Sequence, residues 1–176
     1  ARRAITAKFD ENPKYYTNLL EKLKKILEET EGQWDLMRQK LEPLHEEILS
    51  GEKTEAEKLG LDLREFALYS AVKDRLDRIR QAKSEKLSRV ASPGATFHSE
   101  GHDDQEGIAR EISLAAQDTI LNNVVVDWVG NSTKSGDIDR ALKLLLNLKY
   151  HKVMPLEERT LLAADIMALA RKHYAK

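Results

Sequence analysis

The sequence predicts an all-α protein: a bundle of about six helices, with a long helical hairpin in the N-terminal half and one short extended segment near 124–128. Three observations carry that expectation. Apolar residues recur at alternating three- and four-residue intervals along most of the chain, which is the period of an amphipathic helix. Only 8 Gly and 4 Pro punctuate 176 residues, too few for the many tight turns of a β-sandwich. Charged residues make up 34% against a hydrophobic share of 41%, a mix suited to helices with one buried and one solvated face.

The first helix is announced by "ENPKYYTNLLEKLKKILEETEG", with Asn12 at the N-cap and Pro13 at the first helical position, where its missing N–H costs nothing. Tyr16, Leu20, Leu23 and Leu27 follow at heptad-like spacing. "WDLMRQKLEPLHEEILSG" answers with Trp34, Met37, Leu41, Leu44 and Ile48. Two such stripes joined near Gly32 predict an antiparallel hairpin with coiled-coil-like contact. Pro43 interrupts the second stripe and is expected to kink or split it, because its ring removes a backbone hydrogen bond.

"LDLREFALYSAVKDRLDRIRQ" then places Leu68, Val72, Leu76 and Ile79 on one face. The pattern lapses over residues 82–107, "AKSEKLSRVASPGATFHSEGHDDQEG", which reads as a mobile loop of Ser, Gly and Pro with few apolar anchors. Periodicity resumes at Ile108, Ile112, Ala115 and Ala116. It continues through "GDIDRALKLLLNLKY" (Ile138, Leu142, Leu145) and "MPLEERTLLAADIMALARKHY" (Leu162, Ile166, Leu169). The last helix has Pro155 at its start, Glu157 and Glu158 in its first turn, and Arg171, Lys172 and His173 in its last, as the helix dipole favours.

The stretch "LNNVVVDWVGNST", 121–133, breaks the helical rule. Val124, Val125 and Val126 favour extended backbone, and the chain has no partner strand to pair with them. Such a segment persists only if helices bury it and satisfy its backbone groups. Trp128 is then an anchor wedged between the helix near 138–149 and the final helix, with Asp127 holding an amide or capping the next turn. The alternative is an exposed docking surface for another chain.

Charge and motifs exclude several function classes. Lys plus Arg total 29 against 30 Asp plus Glu, so no global field draws the protein to nucleic acid or membrane. No apolar run reaches the length of a membrane span and no signal-peptide pattern is present. The chain has no cysteine, which excludes disulfides and thiolate metal sites and fits a cytoplasmic setting. It starts at Ala1 rather than Met, so 1–176 reads as a single helical domain belonging to a larger subunit.

No phosphate loop, dinucleotide turn or nucleophile elbow occurs. "HSEGHDDQE" offers His98, His102, Asp103, Asp104 and Glu106, two histidines four apart with carboxylates alongside, as a small metal-dependent enzyme would need. Gly101 disfavours a helix there, and the glutamate that should follow the first histidine is missing, so a solvated polar loop is the simpler reading. His45, His151 and His173 sit in or beside charged helices with nothing resembling a triad. Most basic residues alternate with acids, which dilutes a phosphate-tracking surface. Arg2, Arg3 and Lys8, with the tail "RKHYAK", are the exceptions and would carry a nucleic-acid contact if there is one.

Several of these segments together resemble one family. "NNVVVDW", the Leu-rich helix after it, the "KYHKVMP" connector containing Tyr150, and the final "EER…LLAADIMALA" helix resemble the end of the R (motor) subunit of type I restriction enzymes. "LDLREFALYSAV" and "DENPKYYTNLLEKLKKILEE" are similar to two upstream segments of that family, so the likeness covers most of the chain outside 82–107. Leu68-Tyr69-Ser70 departs from the family's Phe-Tyr-Asp form, and the connector is less Arg-rich. The resemblance implies a non-catalytic assembly domain docking the motor subunit to the methyltransferase (M) subunit and indirectly to the S subunit. DNA, ATP and Mg2+ are implied for the parent enzyme, which translocates along and cleaves unmodified DNA, and no cofactor for this segment. Asp127, Trp128 and Tyr150 are its candidate interaction residues. A helical domain that contacts the duplex within the same machine is the alternative.

Overall fold

The structure, a computed structural model, describes the backbone of residues 2–90 and 102–175, with side chains for 5–85 and 105–175. The described residues are helical with no strand among them. The helices are α1 (Arg2–Lys8), α2 (Pro13–Glu29), α3 (Trp34–Glu46), a π-turn (Glu47–Gly51), α4 (Glu52–Leu59), α5 (Leu63–Val90), α6 (His102–Asn123), α7 (Ser132–Lys149) and α8 (Leu156–His173). The chain divides into two compact units, 1–70 and 71–176, and the boundary falls inside α5. Each unit closes on its own aromatic anchors: Tyr15, Tyr16 and Phe66 in the first, Trp128, Tyr150 and Tyr174 in the second.

In the first unit α2 begins as expected. The side-chain Oδ1 of Asn12 accepts from the Tyr15 backbone amide at 3.2 Å, Pro13 takes the first helical position, and Asn12 Nδ2 donates to Ser70 Oγ at 3.2 Å. Gly32 (φ 77) turns the chain into α3. The two helices form the expected hairpin: Lys40 bridges to Glu29 at 2.8 Å near the tip, and Lys22 pairs with Glu47 near the base. The seam is not covered evenly, and Thr30 at the turn is fully buried. Tyr16, Leu23, Leu44 and Ile48 are buried, whereas Leu27 and Trp34 are exposed. At the base α1, with Ile5 fully buried, packs on α2 and the π-turn, and Tyr15 meets Phe66 of α5 edge-on at 5.8 Å.

Pro43 does not break α3 at its own position. Pro43 and Gln39 are both exposed, so the carbonyl deprived of its amide partner faces water, and the hydrogen-bond register changes four residues later, in the π-turn. Gly51 closes that turn because a Cβ there would lie 2.6 Å from the Tyr15 hydroxyl. Tyr16 donates to the buried Glu52 carboxylate at 2.8 Å. Burial first, and then that hydrogen bond, pushes the Tyr16 hydroxyl well above its ordinary range. Gly60 (φ 65) ends α4, with the Leu61 amide reaching back to Ala56 O at 2.9 Å in a Schellman closure. Asp62 and Glu65 form a reciprocal capping box for α5. Helices α1 and α4, of seven and eight residues, are too short for apolar periodicity to reveal.

In the second unit the expected faces are buried: Val72, Leu76 and Ile79 on α5, Ile112 and Ala116 on α6, Leu162, Ile166 and Leu169 on α8. On α7 the stripe is Ile138, Leu142 and Leu146, one residue later than Leu145 implied. Helix α7 packs on both α6 and α8.

The expected loop over 82–107 is corrected at both ends. Helix α5 runs on to Val90, since neither Gly nor Pro interrupts it before Pro93. Helix α6 already starts at His102 and is joined to α5 through polar side chains, Glu106 to Lys73 at 2.9 Å and Gln105 to Asp77 at 3.2 Å. Helix–helix contact by polar groups leaves no apolar stripe to read. Residues 91–101 lie outside the described set. Among the described residues no helix is long and apolar enough to cross a membrane.

Candidate functional site

The 121–131 segment is a turn rather than an extended strand. Helix α6 carries on to Asn123, the Val124 amide still bonds to Ile120 O at 2.8 Å, and the chain then reverses through Trp128 N to Val125 O at 3.2 Å. Asp127 has φ 59, a left-handed conformation that Asp tolerates better than a β-branched residue would. Its expected capping role belongs to Asn131 instead, whose side chain accepts from the amides of Thr133 and Lys134 at 3.0 and 3.1 Å. An Asn directly before "STK" is an N-cap signal that the sequence did offer.

Trp128 is fully buried and donates its indole N–H to the Tyr174 carbonyl at 3.0 Å. It therefore joins the α6–α7 turn to the end of α8, as expected of an anchor. The valines behave otherwise. Val125, Val126 and Val129 are 47%, 69% and 41% exposed, and Leu121, one turn back on α6, is 51% exposed. A turn of this size cannot place every apolar side chain inward, and the tryptophan takes the interior position. The outcome is an apolar rim on a firmly held turn, reinforced by Lys134 Nζ donating to Val126 O at 3.0 Å.

Tyr150 caps α7, its amide donating to Leu146 O, and its hydroxyl crosses to Glu111 of α6 at 3.0 Å. Burial, then the hydrogen bond and charge of Glu111, push the hydroxyl from 10.0 up to about 12. Because the folded value is the raised one, the stability Tyr150 contributes is complete below its ordinary value of 10.0 and is lost as pH rises through about 12. Denaturant midpoints followed from about pH 9 to about pH 12 should fall in the parent and fall less steeply in Tyr150→Phe. That variant should lose about 0.5–1.5 kcal/mol near neutrality through its missing hydrogen bond. Equal alkaline slopes in the two proteins would contradict the assignment.

The remaining sequence candidates are spread along the chain. Arg2, Arg3 and Lys8 lie in α1 of the first unit, with the side chains of the two arginines outside the described residues and Lys8 half-buried. In the C-terminal tail Arg171 donates to Ser135 Oγ at 3.1 Å and Tyr174 is buried, while Lys172 is exposed. In the histidine–carboxylate cluster, His98 lies outside the described residues, as do the side chains of His102, Asp103 and Asp104, while Glu106 is paired with Lys73. No group of potential metal ligands is found among the described residues.

Sequence reasoning missed Arg75. It is buried on α5, held by Asp165 at 2.8 Å and Glu158 at 3.2 Å, both on α8. Burial opposes its charge, but the hydrogen bonds and charges of Asp165 and then Glu158 outweigh that and hold the guanidinium above its ordinary value. Nothing local marks a pairing across so long a stretch of chain. Among the described residues, the exposed valine turn beside the buried Trp128 is the apolar feature of this region. Comparison of the chain with known protein families, curated proteins and solved structures finds no match.

Proposed function

We propose that this chain is a non-catalytic assembly domain of a type I restriction enzyme R subunit, docking the motor to its methyltransferase core. One observation supports the reading: the "NNVVVDW" box that bears the family resemblance is also where an exposed apolar turn is anchored by the buried Trp128. Apolar side chains held outward by a buried anchor favour binding, because little conformational freedom remains to be lost on association. On this reading the parent enzyme is cytoplasmic and uses ATP, Mg2+ and DNA through other segments.

The test is capture of purified methyltransferase by this chain. Val126→Asp, at a position 69% exposed, should weaken capture about tenfold or more while leaving the melting temperature within a degree or two. Absence of capture, or capture indifferent to charge at Val126, overturns the proposal.

A further inference from the structure

The chain reversal after α6 holds a backbone conformation that its own residues do not favour. The Trp128 amide donates to Val125 O at 3.2 Å, so residues 125–128 form one β-turn with Val126 and Asp127 at its centre. Asp127 (φ 59) is the one non-glycine residue of positive φ among the described residues, so Val126 has negative φ. Negative φ followed by positive φ is the type II pattern, whose second central position favours Gly or Asn. A type I turn closes the same four residues with that second φ at about −90°, which suits Asp. The two forms differ by rotation of a single peptide plane, the one between Val126 and Asp127.

One interaction distinguishes them. Lys134 Nζ donates to Val126 O at 3.0 Å, and this carbonyl belongs to the plane that rotates. Rotation carries the oxygen to the other side of the turn, away from the ammonium. The Trp128 amide and its indole bond to Tyr174 O lie outside that plane, so neither selects between the forms. Lys134 is itself placed by the α7 cap, its amide donating to Asn131 Oδ1 at 3.1 Å. No carboxylate pairs with its ammonium among the described residues, so the charge is directed at the carbonyl. A left-handed aspartate and an exposed charge-assisted hydrogen bond are both modest effects of similar size, and here they act in opposite directions.

We propose that Lys134 is a latch that selects one of two states of the 125–128 turn. With the ammonium on Val126 O the turn is type II, and the Asp127 N–H points to the opposite side, where it has no partner among the described residues. Without the ammonium the plane rotates, Asp127 relaxes to negative φ, and the N–H and carbonyl exchange sides. Any group that draws the charge away, such as a carboxylate brought by a binding partner, shifts the balance between the states. The latch is a property of the chain by itself. Only its consequence for docking, a fixed set of backbone donors and acceptors beside Val125 and Val126, rests on the reading above.

Nuclear Overhauser effects in the full chain read the state directly, because the Val126 Hα lies close to the Asp127 amide proton in type II and the two amide protons lie close in type I. The parent should show the first contact strongly. Lys134→Met should weaken it at least twofold and strengthen the amide–amide contact, with the Trp128 indole resonance unmoved, since the anchor is untouched. Asp127→Gly removes the cost of positive φ, so Lys134→Met combined with Asp127→Gly should return to the parent pattern, which loss of packing at Lys134 would not allow. A parent pattern retained in Lys134→Met overturns the proposal, and so does a double variant that stays as rotated as the single one. Capture of purified methyltransferase should follow the same order, weakened in Lys134→Met and restored in the double variant. If the contacts change as expected but the parent captures no methyltransferase, the latch stands and the docking reading falls.

Discussion

Trp128→Ala is expected to destabilise the second unit by about 3–5 kcal/mol, the range for removing a fully buried aromatic side chain. Two losses add. The cavity forfeits the packing of the largest fully buried side chain among the described residues, and the buried Tyr174 carbonyl loses its indole donor at 3.0 Å. Against a total of about 5–15 kcal/mol for a small domain, this is a large fraction. The α6–α7 turn and the end of α8 should loosen together, because that hydrogen bond joins them across 46 positions of sequence. Trp128→Phe should fall between parent and alanine, keeping much of the packing but not the donor. Thermal and denaturant unfolding read the result, with Val126→Asp as the control that barely moves. A loss under about 1 kcal/mol would mean the tryptophan is not the anchor.

The second large effect is at Arg75. Arg75→Met should cost about 2–4 kcal/mol, at or below the usual range for breaking a buried ion pair because Glu158 and Asp165 keep some contact with solvent. The methionine keeps much of the stem's apolar character, so the change chiefly removes the charge and leaves two carboxylates without their shared cation. Arg75→Met combined with Glu158→Gln and Asp165→Asn should recover a good part of the loss, since no uncompensated charge remains. If the triple variant is as weak as the single one, packing of the guanidinium rather than charge balance is what α5 and α8 share there.

Much of the architecture is legible in the sequence. Asn12 and Pro13 at the start of α2, Pro155 with Glu157 and Glu158 at the start of α8, and the stripes through Val72, Ile112 and Leu162 each follow from local backbone chemistry or helical period. These signals reside within a few turns of chain. They also name Trp128 as an anchor, because a large indole in an apolar run has few stable positions outside a core. What is not legible comes from two sources. Short elements such as α1 and α4 lack the length to show a period, and polar seams such as Lys73–Glu106 leave no apolar trace.

The sequence by itself determined that the chain is helical, where most helices begin, and which face of each is apolar. Whether an apolar face is covered was decided only by tertiary structure. Leu23 and Leu27 are successive apolar positions of one heptad stripe, yet the first is buried and the second is exposed toward the tip of the hairpin. Val125, Val126 and Trp128 belong to one apolar run, yet the turn at Asp127 sends the tryptophan inward and leaves the valines facing out. Burial depends on which distant segments arrive alongside, and neither helical period nor residue propensity contains that information.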